Sequence, residues 1–274
     1  STYAGNFFLQ QLFFLLFLGV FYGILSKVSG YQSMVNKVAK KFQGREKIFV
    51  IASSLIIALL TSFLTQTYVV LLFVPLVVNV ASKLKLDKLT TFLCSFGSII
   101  VGILGATFGT EGLVYFINYL SMYKAIDSTT EIGIRFGIFA LAFVVYHFFT
   151  LRHMSKLSMD KKNKEEVTED LFLVEENNKN VKVWPMAAFF IITFIFVVLG
   201  YVNWNIFEIT IFDKFHTWLT ELSVGKYTII SYILGNNAKT FGTWDLYSIM
   251  IVLFIVLLLS TLVYKMKFDD AIDH

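Results

Sequence analysis

Charge is scarce in this sequence. Only 15% of its 274 residues are Asp, Glu, Lys or Arg, against about a quarter in soluble domains. Together with 57% hydrophobic content, that shortage excludes a disordered chain and most soluble enzymes. A single cysteine, Cys94, excludes an intrachain disulfide and a cysteine metal cluster. Only two prolines, Pro75 and Pro185, interrupt the helical pattern. The four histidines (His147, His153, His216, His274) show no HExxH or other metal spacing, and neither a GxSxG turn nor a phosphate-binding loop occurs. No charged head and small-residue cleavage site of a signal peptide opens the chain.

What the chain does have is apolar length. It carries 30 Phe, and its mean hydropathy is +0.71. Segments 7–25, 132–151, 184–203 and 247–264 are each long and apolar enough to cross a bilayer as a helix. Pro185 falls in the first turn of its segment, where proline is tolerated. Gly19 and Gly23 form a GxxxG, expected to be a packing face. Over 31–44, Met34, Val35, Val38 and Phe42 share one helical face while Lys37, Lys40 and Lys41 lie elsewhere, which predicts a helix in the membrane surface. Over 204–246, Phe207, Ile211, Phe215, Trp218, Leu219 and Leu222 trace a second apolar face, and an outer interfacial helix is expected there.

Two segments break the pattern. Residues 48–82 are 35 residues without a charge, too few for two full spans, which need about 40 plus a turn, and too many for one. Arg45 and Lys47 precede them, Lys83, Lys85 and Lys88 follow, and the polar cluster Thr61–Thr67 lies near the middle. Basic flanks on both sides predict a re-entrant hairpin entered and left from the cytoplasm, with Thr65-Gln66-Thr67 at its tip near mid-membrane. Residues 89–124 hold Gly97, Gly102, Gly105, Gly109 and Gly112 around the string GATFGTEG. Glycine costs about 1 kcal/mol per helical position relative to alanine, so this cluster predicts a span unwound in its middle. The alternative is a glycine-rich packing face between two ordinary helices.

The basic residues fit one threading. With the first span running inward, segments 26–47, 83–88, 152–182 and 265–267 are cytoplasmic and hold 18 of the 23 Lys and Arg. Because the basic residues follow membrane topology, no nucleic-acid partner is indicated. In this threading Glu111 is the one acid of 19 at membrane depth, and an intramembrane acid is a functional hypothesis by default. Tips and broken helices free backbone carbonyls and amides next to hydroxyls. Carbonyl oxygens with Thr65, Thr67, Thr107 and Thr110 suit a hard cation such as sodium, and half-helix N-termini suit an anionic group.

At these residues the chain resembles a family. The string FLTQTYVVLLFVPL resembles the hairpin signature of the ion transporter superfamily, with Thr65-Gln66-Thr67 at the tip and Pro75 at its proline. GATFGTEG resembles that superfamily's broken-helix motif at Gly105, Gly109 and Thr110. The stretch from Gly30 to Gly112, and the terminal FDDAI, look closest to the YfcC-like and C4-dicarboxylate anaerobic carrier branch. Gln66 stands where the superfamily has asparagine, and Glu111-Gly112 where it has prolines.

The resemblance implies an all-α polytopic membrane protein, an inverted-repeat secondary transporter with a re-entrant hairpin and a broken helix, rather than an enzyme. It implies a sodium site at Thr65, Thr67, Gly105, Thr107, Gly109 and Thr110, and a solute site at Thr65, Gln66, Thr67, Thr110 and Glu111. The expected activity is sodium-coupled movement of a carboxylate or amino-acid solute across the cytoplasmic (inner) membrane, by a homodimer. Sodium/proton antiport through Glu111 stays open as the alternative, with a membrane enzyme or assembly factor behind it. Residues 1–151 are read as a first repeat, 152–183 as a cytoplasmic charged loop, and 184–274 as the start of a second repeat within a longer protein. That reading also expects the fragment to be unable to transport alone.

Cysteines introduced at Lys47 and Lys85 should both react with an impermeant maleimide from the cytoplasmic side only. Opposite-side reactivity of the two would mean one crossing between them.

Overall fold

The computed structural model describes residues 2–105, 128–159, 168–169, 181–224, 227–228 and 239–266. Five helices among them are long and apolar enough to cross a membrane: Phe8–Lys27, Glu46–Phe63, Gly133–Lys156, Trp184–Tyr201 and Leu246–Val263. The chain is an all-α polytopic membrane protein. A pair of two-residue strands, β1 (Ser223–Val224) and β2 (Tyr227–Thr228), is a minor addition outside the helices.

Helix α1 (Thr2–Lys27) covers the first apolar run and ends on a lysine, the favourable charge for a helix C-terminus. A Cβ added at Gly19 or Gly23 of its GxxxG would meet no described atom, so the two glycines mark no close crossing with a described helix. Helix α2 (Ser29–Phe42) has the predicted amphipathy, with Tyr31, Met34, Val35 and Ala39 buried and Lys37, Lys40 and Lys41 exposed. Its buried face is held by protein. The Asn79 amide donates to the Tyr31 hydroxyl at 3.0 Å, and the Tyr31 ring stacks on Phe190 at 6.0 Å.

The charge-free segment forms a helical hairpin. Helix α3 (Glu46–Phe63) rises, a 3-10 turn (Thr67–Leu72) starts the return, and α4 (Val74–Lys83) completes it. Pro75 sits at the start of α4, where its missing amide costs nothing. At 18 residues, α3 is about 27 Å long, more than the short arm the sequence suggested. The two arms pack principally against different neighbours, α3 on the next helix and α4 on α2. Lys85, in the left-handed conformation at φ 57, ends α4 in a Schellman turn: Leu86 N–H donates to Ala81 O and Lys85 N–H to Ser82 O.

Helix α5 (Lys88–Leu104) contains a π-helical turn at Leu93–Gly97. The sequence reading missed it. A π turn widens the ring of hydrogen bonds and leaves a backbone group to be satisfied otherwise. Here the Leu93 carbonyl accepts from the Tyr146 hydroxyl at 2.6 Å and the Ser98 hydroxyl at 3.0 Å. Gly97 makes this possible, since a Cβ there would lie 2.1 Å from the Tyr146 hydroxyl. Gly102 has a similar task. Its Cβ would lie 2.6 Å from Ala58 O and 2.5 Å from Thr61 Cβ, so α3 and α5 touch almost backbone to backbone. Two of the five clustered glycines thus serve packing, and the helix ends at the third, Gly105.

Helix α6 (Ser128–Met159) is 32 residues long, against the 20 expected. Beside Tyr146, its His147 is 7% exposed and contacts Ser54 of α3 at 3.0 Å. Helix α7 (Trp184–Tyr201) and helix α9 (Leu246–Val263) match the predicted spans. They meet α2 at one phenol: the Tyr264 hydroxyl donates to Lys182 O, accepts from Met186 N–H, and its ring covers Gly30. Between them, α8 (Ile211–Glu221) is the predicted amphipathic helix, with Ile211, Phe215 and Trp218 exposed. Phe207 belongs to a separate 3-10 turn, Trp204–Phe207, and not to that helix. Most of the charged loop lies outside the described residues. Thr168, within it, docks where its N–H meets Leu86 O and its hydroxyl meets that of Thr91.

Gly97→Ala should lower the thermal unfolding midpoint, by about 1–3 kcal/mol of stability, through loss of the Tyr146–Leu93 bond. In a Tyr146→Phe background the same substitution should cost measurably less. Equal penalties in both backgrounds would detach Gly97 from that bond.

Candidate functional site

The end of the hairpin is a short non-helical stretch. Leu64 is extended and Gln66 is extended, so residues 64–66 turn the chain before the 3-10 turn begins at Thr67. The polar cluster of the sequence is therefore the tip. Thr65, Gln66 and Thr67 are all half-buried there.

Two contacts fix the tip. On one side the Ser62 hydroxyl donates to Gly105 O at 2.7 Å, where α5 ends. On the other, Thr65 N–H and the Thr65 hydroxyl both donate to Tyr201 O, at 2.9 and 3.0 Å. Leu64 and Val202 form an isolated antiparallel bridge beside them. Non-helical backbone at membrane depth persists only when protein or a wet cavity satisfies it, and here α5 and α7 do so. Gly105 in turn lies against Phe139, with a Cβ there at 2.3 Å from Phe139 Cβ. Along the Gly133–Lys156 stretch of α6, Phe139 is about 9 Å from one end and about 25 Å from the other. The end of α5 beside the tip thus lies nearer the Gly133 end of that stretch than its Lys156 end.

Of the expected site residues, the structure brings Thr65, Gln66, Thr67 and Gly105 to one region. Thr107, Gly109, Thr110 and Glu111 lie outside the described residues. The Thr65 hydroxyl proton is held by Tyr201 O, which leaves the hydroxyl oxygen's lone pairs as its remaining capacity. Sequence reasoning missed Ser62 and Tyr201. Ser62 stood inside the noted cluster, but its partner is 43 residues away. Tyr201 acts through its carbonyl, and no residue type announces that. No group of three or more His, Cys, Asp or Glu among the described residues could hold a metal ion.

At the charged end of α5, Asp87 accepts from Thr90 N–H at 2.8 Å as the N-cap and meets His153 Nε2 of α6 at 3.2 Å. Burial alone would raise the Asp87 carboxyl. Hydrogen bonds from Thr90 and the His153 side chain outweigh it and hold the carboxyl below its ordinary value.

A family model described as citrate transporter matches residues 4–271, nearly the whole chain. The chain belongs to the citrate transporter family. Membership makes it a transporter and not an enzyme, and it places the superfamily resemblance at this family; the YfcC-like branch is not what the match identifies. No curated protein and no solved structure matches the chain. In a citrate transporter family member the residues that pin the tip, Ser62, Gly105 and Tyr201, come from three segments of the chain.

A carboxyl lowered by folding stabilises the fold above its unfolded value, and that contribution is lost as pH falls through the folded value. Asp87→Ala should therefore cost about 1–2 kcal/mol at neutral pH, with the gap to the unaltered protein closing below about pH 4. Thermal unfolding across that pH range reads both; a gap independent of pH would mean the carboxylate charge contributes nothing.

Proposed function

We propose that the chain carries a citrate-type carboxylate across the cytoplasmic membrane, driven by sodium. The Thr65-Gln66-Thr67 tip and the segment from Gly105 through Thr107, Gly109, Thr110 and Glu111 form one half of the site. The observation that carries this reading is the Ser62–Gly105 bond, which sets the tip beside the point where α5 stops. The N-terminal end of the returning arm, Thr67–Lys83, begins at that place, and a helix N-terminus suits an anionic solute group. Carbonyls freed near Gly105, together with Thr67 and Thr110 hydroxyls, suit a dehydrated sodium ion. Family membership supports a carboxylate cargo. The likeness of residues 30–112 to C4-dicarboxylate carriers extends the same reading to dicarboxylates. A second, pseudo-symmetric half-site and a homodimer formed through the other spans complete the proposal by analogy with the superfamily.

Proteoliposomes test it. An inward sodium gradient should drive uptake of labelled citrate, and Thr67→Val or Thr110→Val should raise the half-saturating sodium concentration about fivefold each, as expected for about 1 kcal/mol of lost coordination. Unchanged sodium dependence in both variants would remove the sodium site. Sodium-driven proton movement without any organic solute would replace this reading with antiport.

A further inference from the structure

We propose that the cleft between α4 and α5 binds one phospholipid of the leaflet on the lysine-flanked side of the membrane, and that its headgroup is a zwitterionic primary amine of the phosphatidylethanolamine kind. The cleft follows from how the two helices are held. Helix α4 packs principally on α2, and α5 packs on α3. A space of about 390 Å³ stays open between them, walled along its length by Val78, Phe92 and Phe96.

Its dimensions fit one leaflet. Lys88, Phe92 and Phe96 follow one another at intervals of four on α5 and so share a face of that helix. Phe96 lies about 12 Å along the helix from Lys88, and half of a hydrocarbon core is about 15 Å. With Lys88 at headgroup level, both rings fall within the hydrocarbon layer of the same leaflet. The rings stack on each other with centroids 6.1 Å apart and stay 49% and 44% exposed. They offer an apolar strip to an acyl chain.

The charged loop completes the polar end. Thr168 N–H donates to Leu86 O at 2.9 Å, and its hydroxyl lies 2.7 Å from that of Thr91. This docking holds Glu169 at the Lys88 end of the cleft, which both residues line. Both are exposed. The floor between them competes little, because the Ser95 hydroxyl already donates to Thr91 O at 2.6 Å. Asp87, just before Lys88, is committed to Thr90 N–H and His153.

One cation and one anion thus face the same headgroup position. A lipid phosphate accepts from the Lys88 ammonium, whose three hydrogens allow a further partner at the same time. A primary ammonium donates to the Glu169 carboxylate in a charge-assisted bond. Phosphatidylglycerol brings a phosphate without an amine and sets a like charge near Glu169. Phosphatidylcholine carries the same charges as phosphatidylethanolamine, but its quaternary nitrogen has no hydrogen to donate. Basic pockets between membrane helices are a recurring site for anionic headgroups; the acid on the loop turns this one toward a zwitterion.

Native mass spectrometry of the purified chain with phosphatidylethanolamine, phosphatidylcholine and phosphatidylglycerol of identical acyl chains tests the proposal, together with cross-linking by a phosphatidylethanolamine that carries a diazirine on one acyl chain. The expected first adduct is phosphatidylethanolamine, bound about threefold to fivefold more tightly than either other lipid, the range of an exposed charge pair. Cross-links should fall on the peptide that contains Phe92 and Phe96. Glu169→Gln should bring phosphatidylethanolamine down to the level of phosphatidylcholine, and Lys88→Gln should weaken both alike. The cross-link is read on the unaltered chain and needs neither variant to fold. Equal binding of the three lipids, a preference for phosphatidylglycerol, a preference for phosphatidylethanolamine unmoved by Glu169→Gln, or absence of cross-links from that peptide would each overturn the proposal. The last is the result expected if a second copy of the chain fills the cleft. Lipid binding needs no solute, so the outcome is independent of citrate transport.

Discussion

A bilayer offers no water to a stray backbone group, and that constraint organises this structure. At four described places where regular α-helical bonding ends or loosens, a group from elsewhere in the chain meets the freed carbonyl. Tyr22 donates to Leu72 O at 2.7 Å, where the 3-10 turn ends. Tyr146 donates to Leu93 O at the π turn, Ser62 to Gly105 O at the end of α5, and Thr65 doubly to Tyr201 O at the tip. These bonds join α1 to the hairpin, α6 to α5, α3 to α5 and the hairpin to α7. The irregularities are therefore also the fastenings of the fold.

Of the clustered glycines, Gly97 and Gly102 have a task in packing, Gly105 is where the helix stops, and Gly109 and Gly112 lie outside the described residues. At Gly97 and Gly102 the missing Cβ admits a phenol and a helix backbone, so the residues let neighbours in and do not unwind the helix. Only at Gly105 does the α-helix stop, and Phe139 then fills the space beside it. At Gly19 and Gly23, which carry a recognised packing motif, an added Cβ would meet nothing described. Small residues permit close approach; whether it happens is decided by what the rest of the fold brings to that face.

Much of the architecture was legible in the sequence. An uncharged stretch with lysines and an arginine at both ends was read as a hairpin, and in the structure the chain turns at its polar midpoint. Amphipathy placed α2 and α8 because a period of 3.6 is a local property. The π turn was not legible, since it depends on Tyr146 lying 53 residues away from Leu93. The Ser54–His147 contact spans 93 residues, and nothing local marks either residue as a partner. Of the candidate site, Thr65, Gln66, Thr67 and Gly105 were named from composition and resemblance. Ser62 and Tyr201 were not, because a hydroxyl among many and a backbone carbonyl carry no sequence signal.

Helix α3 makes three contacts along one face with two neighbours: His147 of α6 at Ser54, the glycine side of α5 at Ala58 and Thr61, and the end of α5, Gly105, at Ser62. From Ser54 the face runs on at Ala58 and then at the adjacent Thr61 and Ser62, three and four residues further. Adding or deleting one residue between them turns everything beyond by about 100°. All contacts past that point would then be lost together, including the reach of the tip toward Tyr201. The length of this arm is in that sense a single inherited quantity, free to change in the identity of its residues but not in their number.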